Sequence, residues 1–118
     1  MTVDPALADD DFCYVTTTGR ITGKPHTIEI WFALECGRLY LLAGGRERAD
    51  WVRNIGRAPE VRVRIGGAEM RGRGRIVESV GEDALARRLL VEKYGPRYSG
   101  DLSAWGREAL PVAVELEI

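Results

Sequence analysis

The sequence predicts a mainly β domain: a small antiparallel barrel of about six strands with two or three short helices. Three observations lead there. Short segments alternate apolar and polar residues, most plainly Val61, Val63 and Ile65 against Arg62 and Arg64. Turn signals punctuate them, at Cys36-Gly37 and Gly66-Gly67. Only two stretches change to helical spacing, one after the third strand and one after the fifth. Closing such a sheet on itself removes edges that would otherwise pair with other chains. With 118 residues the chain is read as one domain, 1–118, long enough to bury a real core.

The elements follow in order. Residues 1–10 form a short acidic tail expected to be mobile. Phe12 to Thr18, aromatic and β-branched, is the first strand. Gly19 to Pro25 is a hairpin connection: two glycines accept positive φ, and Pro25 interrupts pairing. His26 to Leu34 is the second strand, with Ile28, Ile30 and Phe32 on one face and Thr27, Glu29, Trp31 and Ala33 on the other. Arg38 to Ala43 is the third. After Gly44-Gly45 the period changes, and a short helix is expected from about Glu47 to Arg57, stopped before Pro59. Glu60 to Gly66 and Ala68 to Val77 make the next hairpin. On its second strand Arg71, Arg73 and Arg75 share one face. Gly72 and Gly74 take the other, where small residues mark curvature or close backbone approach.

From Gly81 to Tyr94 the period is again helical: Leu85, Leu89, Leu90 and Tyr94 fall on one face, and Glu82 and Asp83 sit where the helix dipole favours acids. Gly95-Pro96 stops this helix. Residues 97–109 are a loop or short helix, and Leu110 to Ile118 alternates as the last strand.

Charge and composition narrow the function. The formal net charge is -1, which argues against a nucleic-acid partner. It hides an uneven layout, because residues 20–75 carry twelve bases against six acids. Nearly all the bases are arginine, whose rigid fork suits phosphate and carboxylate. Arg62, Arg64, Arg71, Arg73 and Arg75 read as a solvated outer face balanced by Glu60, Glu69 and Glu78. Cys13 and Cys36 lack metal-ligand spacing and read as small apolar fillers. One histidine, His26, excludes a multi-histidine metal centre, and no metal site is expected. No basic, apolar leader opens the chain and no run is long enough to span a membrane, so a cytoplasmic protein is expected.

Two glycine-framed segments could meet an anion. One runs from Gly19 to His26 and carries Arg20, Lys24 and His26. The other is Gly44-Gly45-Arg46-Glu47-Arg48, leading from a strand end into a helix start, where backbone N–H groups and the helix dipole favour negative charge.

Thr16-Thr17-Thr18-Gly19-Arg20-Ile21-Thr22-Gly23-Lys24-Pro25-His26-Thr27, followed by Trp31-Phe32, resembles the opening of the deazaflavin-dependent nitroreductase family. Gly44-Gly45, Trp51, Asn54, Ala58-Pro59, Val61 and Val63 match in the same order, as does Leu110-Pro111-Val112-Ala113-Val114 at the end. The resemblance covers roughly residues 13–115. It implies a six-stranded antiparallel split β-barrel, usually a homodimer, related to the pyridoxamine-phosphate oxidase and flavin-reductase barrels. It also implies the deazaflavin coenzyme F-420, whose phosphate and polyglutamate tail are anions. Arg20, Lys24 and His26 would then lie near the phosphate and tail. Gly44, Gly45, Arg46 and Arg48 would line the phosphate and ring, and Trp51 and Asn54 would order the helix beneath. Tyr94 and Tyr98 match late tyrosines beside the ring and are the candidate catalytic residues, as hydrogen-bond donors to the acceptor. The expected activity is hydride transfer to a quinone, nitro compound or enone. An FMN-binding reductase with the same barrel and a non-catalytic flavin carrier are the alternatives.

Overall fold

A computed structural model describes residues 3–117. Alternation becomes sheet where it was expected, in β1 (Cys13–Thr18), β4 (Arg38–Ala43), β5 (Glu60–Ile65), β6 (Ala68–Ile76) and β7 (Leu110–Glu117). The segment expected as one strand over His26–Leu34 is two: β2 (Pro25–Ile30) and β3 (Ala33–Glu35). Six expected strands thus become seven. All pairs are antiparallel, in the order β2-β1-β5-β6-β7-β4-β3. The curled sheet ends at β2 on one side and β3 on the other, and Trp31-Phe32 carries the chain between those edges. Phe32 is fully buried, so the interruption anchors the crossing.

Three helices follow: α1 (Asp50–Arg57), α2 (Val80–Tyr94) and α3 (Ser103–Glu108). The turn ahead of α1 is a separate 3-10 turn, Arg46–Arg48, so α1 begins three residues later than the sequence implied. Ser79 caps α2, its hydroxyl accepting from the Glu82 N–H at 3.1 Å.

Two apolar clusters hold the fold. Inside the barrel lie Val15, Phe32, Leu41, Val63, Ile65, Val112 and Val114, with Val52 and Ile55 of α1 closing one end. Outside it, α2 packs Ala86, Leu90 and Tyr94 on Tyr40, Leu42 and Ala113. The described part of the acidic N-terminal stretch lies against the barrel and the end of α2. Pro5–Asp9 forms a 3-10 turn, Val3 and Leu7 pack on the barrel cluster, and Lys93, Tyr94 and Arg97 bind carbonyls of residues 9–11. Residues 1 and 2, and Ile118 of the expected last strand, lie outside the described residues. No described helix is long and apolar enough to cross a membrane.

The arginine ladder divides. Arg73 pairs with Glu60, while Arg62 and Arg71 face each other across β5 and β6. Arg75 is half-buried: it forks onto Glu82 at 2.7 and 2.8 Å and reaches Glu115 at 2.8 Å. The counter-ions of this last arginine are therefore Glu82 and Glu115, not Glu78. Hydrogen bonds from Arg75 hold the Glu82 carboxyl at about 2, against the usual 4.5; the Tyr40 hydroxyl assists and burial opposes. A lowered folded-state value means stability that is complete above 4.5 and lost as pH falls towards 2. In acid unfolding followed by circular dichroism, Glu82→Gln is expected to lack about 2 kcal/mol of the wild-type loss between pH 5 and 2. Parallel acid limbs would deny the Arg75–Glu82 pair this role.

Candidate functional site

The open seam of the sheet gathers five of the candidate residues, Arg20, His26, Trp51, Asn54 and Tyr98, into two cavities. The first, about 360 Å³, is lined by Arg20, Ile21, Thr22, His26, Thr27, Ile28, Trp51 and Asn54. Its rim is the loop between β1 and β2, closed by Gly19 N–H to the Lys24 carbonyl at 2.8 Å and Gly23 N–H to the Gly19 carbonyl at 2.9 Å. Gly23 has φ +76°, which glycine alone adopts freely. Gly19 is needed for a different reason: a Cβ there would stand 2.8 Å from the His26 ring.

Asn54 ties this loop to α1. Its side-chain oxygen accepts from the Arg20 amide at 3.1 Å and from the Arg20 guanidinium at 2.9 Å, and its amide donates to the Thr17 hydroxyl at 3.0 Å. Arg20 also pairs with Asp50 at 3.0 Å. Its guanidinium is thus committed to the protein, and the first turn of α1, expected to attract an anion, already holds the Asp50 carboxylate. What the loop offers an anion is the Ile21 and Thr22 N–H groups, Lys24 and His26. Neither the Ile21 and Thr22 amides nor the Lys24 and His26 side chains donate a hydrogen bond within the described structure, while the Lys24 amide reaches the Thr22 hydroxyl at 3.3 Å.

The Gly44-Gly45 turn lies outside both cavities as lined. A Cβ on Gly44 would meet open space. Arg46 has positive φ, 53°, and its guanidinium turns to the Glu108 carbonyl and the Glu47 carboxylate. Arg48 is exposed, and its guanidinium has no partner among the described residues.

The second cavity, about 460 Å³, is aromatic. Phe12, Ile30, Trp31, Leu42, Tyr98, Leu102 and Trp105 line it, with Glu29 and Asp101 at its edge. The Trp31 ring is its centre: Tyr98 and Trp105 meet it edge-on at 5.5 Å. Tyr98 is 47% exposed and its hydroxyl has no hydrogen-bond partner among the described residues. Tyr94 is placed differently. It is 2% exposed, stacks flat on Trp31 with centroids 4.3 Å apart, and spends its hydroxyl on Phe32 and Asp11. Burial pushes that hydroxyl up to about 12. Of the two candidate tyrosines, therefore, only Tyr98 lines the cavity. Sequence reasoning missed Phe12, Trp31, Leu102 and Trp105, because alternation put Trp31 on the face opposite Ile30 and nothing showed that α3 covers it.

The two cavities succeed one another along β2 and the residue that follows it. Thr27 and Ile28 line the first, and Glu29, Ile30 and Trp31 the second. Among the described residues no cluster of His, Cys, Asp or Glu could hold a metal ion.

The sequence model of the F420H2-dependent quinone reductases matches residues 3–117. The chain belongs to that family. It is therefore a deazaflavin-dependent oxidoreductase whose cofactor is F420, and the FMN-binding and carrier readings give way. Solved structures agree on the split-barrel fold. A conserved hypothetical protein from Mycobacterium tuberculosis superposes with a TM-score of 0.74 at 18% identity, covering 100% of this chain and 82% of its own. An F420-H2 dependent reductase gives 0.69 at 22% identity, covering 91% and 94%. A protein solved as a domain-swapped dimer gives 0.70 at 25% identity, covering 91% and 80%. No curated protein matches the chain.

Proposed function

We propose that the groove along β2 is where reduced F420 meets a small planar acceptor: a quinone first, with nitro compounds and enones as further candidates. The observation that carries this reading is the succession of a donor-bearing cavity and an aromatic cavity along β2 and the residue that follows it, at the seam of the sheet. The residues suit the cofactor. Half-buried Ile28 and Ile30 give a ring system an apolar strip, and the free donors of residues 21–26 suit a phosphate and an acidic tail. Arg20 and Asn54 hold the loop in place, and Trp51 packs α1 on the barrel beneath it. Gly44, Gly45, Arg46 and Arg48 are assigned to the same cofactor through the resemblance of their segment. When bound, the reduced deazaflavin supplies the hydride. The chain supplies position, exclusion of water and one proton donor.

Tyr98 is that donor. Its free hydroxyl in the aromatic cavity would bond the acceptor oxygen on which negative charge develops, and solvent would replace the proton as the hydroquinone leaves. The protein acts as a cytoplasmic homodimer in this reading, which the resemblance and the dimeric neighbour support and a native mass would measure.

The test is a fluorescence titration of the purified protein with F420, followed by bleaching of the reduced cofactor with 1,4-naphthoquinone, a nitroaromatic and an enone. His26→Ala and Lys24→Ala are each expected to weaken F420 binding about tenfold, the size of one charge-assisted hydrogen bond. Tyr98→Phe is expected to lower kcat about tenfold at nearly constant acceptor KM. Absence of F420 binding, or full turnover by Tyr98→Phe, would sink the corresponding assignment.

A further inference from the structure

The aromatic cavity has a structural peculiarity. Three of its walls, Phe12, Trp31 and Tyr98, lie outside every strand and helix, so no backbone ladder fixes them. They are fixed from behind, by the end of α2. The Tyr94 hydroxyl accepts from the Phe32 N–H at 3.0 Å and donates to the Asp11 carbonyl at 2.8 Å. Lys93 donates to the Asp10 carbonyl at 2.7 Å and the Phe32 carbonyl at 3.0 Å, its ammonium 3.7 Å from the Phe32 ring centroid. Arg97 donates to the Asp9 carbonyl at 3.0 Å and the Asp11 carboxylate at 2.7 Å. Each wall is one residue from a clamped one: Phe12 follows Asp11, Trp31 precedes Phe32, and Tyr98 follows Arg97. Tyr94 reaches two of these segments with one oxygen, and its ring backs the face of Trp31.

We propose that Tyr94 is a positioning residue: with Lys93 and Arg97 it sets the spacing of Phe12, Trp31 and Tyr98, and so the affinity of the cavity for planar acceptors, without touching the acceptor itself. This rests on the reading of the cavity as the acceptor site. The tyrosine is suited to the task because its hydroxyl is both acceptor and donor, which lets one rigid side chain join two irregular segments. Phenylalanine would keep the stack on Trp31 and remove the hydroxyl's bond to each segment, leaving them to Lys93 and Arg97 alone. The buried Phe32 N–H would then lose its partner and draw the crossing towards water.

The experiment compares wild type, Tyr94→Phe and Arg97→Gln. Calorimetric titration of the cofactor-free protein with 1,4-naphthoquinone should show binding about tenfold weaker in Tyr94→Phe and about threefold weaker in Arg97→Gln. In the F420-loaded enzyme KM should rise by the same factors, with kcat within twofold of wild type. A fall in kcat at unchanged KM and Kd would make Tyr94 a direct donor and overturn the proposal, as would unchanged values throughout. If Tyr94→Phe does not fold, unchanged naphthoquinone binding in Arg97→Gln overturns it instead. If wild type binds no naphthoquinone, the acceptor reading fails by itself, and the positioning role is read from Trp31 fluorescence in a Trp51→Phe/Trp105→Phe background. A red shift and greater acrylamide quenching on adding Tyr94→Phe would uphold the role, and identical emission would refute it.

Discussion

Asn54→Ala is expected to cost about 3 kcal/mol of folding stability, a fall in Tm of about 10 °C, and to weaken F420 binding at least thirtyfold. Asn54 is 2% exposed and satisfies three donors and acceptors on two other segments: the Arg20 amide, the Arg20 guanidinium and the Thr17 hydroxyl. Alanine leaves the part-buried Arg20 amide and the hydroxyl of 1%-exposed Thr17 without their partner. Each such orphan costs about 1–3 kcal/mol, more than the bond it replaces was worth. Affinity falls for a separate reason. Without Asn54 the loop over residues 19–24 keeps only the exposed Asp50 pair to hold Arg20, so the loop's free donors no longer point one way.

Asn54→Asp separates the two effects. An aspartate still accepts from Arg20 and can accept a hydrogen bond from the Thr17 hydroxyl, so much of the stability should return. Its added negative charge beside an anion site should leave cofactor binding weak. Urea unfolding and fluorescence titration of both variants check this. An Asn54→Ala protein within 0.5 kcal/mol of wild type would refute the clamp.

What the sequence made legible, and what it hid, follows from which forces act locally. Alternation in β5 and β6, the glycine turns and the leucine spacing of α2 are local, and each matched an element in the structure. The break between β2 and β3 was hidden because Ile28, Ile30 and Phe32 keep the same alternation through it. All three are apolar whether the chain stays on one sheet edge or crosses to the other. Arg20 looked like a free anion donor because its partner, Asp50, is thirty positions away and meets it only once α1 docks on β1. Tyr94 is the instructive case. The helical spacing that placed it with Leu85, Leu89 and Leu90 already put it on the buried face, while the resemblance to the family's late tyrosines made it a candidate for chemistry. Periodicity was the stronger signal. Trp31 was legible only as part of the family motif, since its place in a cavity depends on α3, a six-residue helix with no pattern of its own.

Gly72 and Gly74 looked equivalent in sequence, both facing inward on β6, but their substitutions are expected to differ sharply. A Cβ on Gly72 would lie 2.5 Å from a Val114 methyl carbon and 3.0 Å from the Glu115 carbonyl oxygen. Val114 is fully buried, and Glu115 belongs to β7, whose ladder with β6 pairs Gly72 with Leu116. The backbone oxygen cannot retreat without breaking that ladder, so Gly72→Ala should cost about 3 kcal/mol, at the upper end for overpacking. A Cβ on Gly74 meets only the Ile55 side chain, 3.0 Å away at its nearest. That side chain can change rotamer, and α1 can shift by a few tenths of an ångström, so Gly74→Ala should cost about 1 kcal/mol. Gly56, inside α1 with nothing within 4 Å of its Cβ position, supplies the internal control. Gly56→Ala should stabilise by about 1 kcal/mol, the ordinary helix propensity difference. Urea denaturation of the three variants tests the order. If Gly72→Ala is as stable as Gly74→Ala, the close approach of β6 to β7 is not what keeps glycine at position 72. If it is the least stable by a wide margin, the tight curl that opens the seam between β2 and β3 depends on that one missing methyl group.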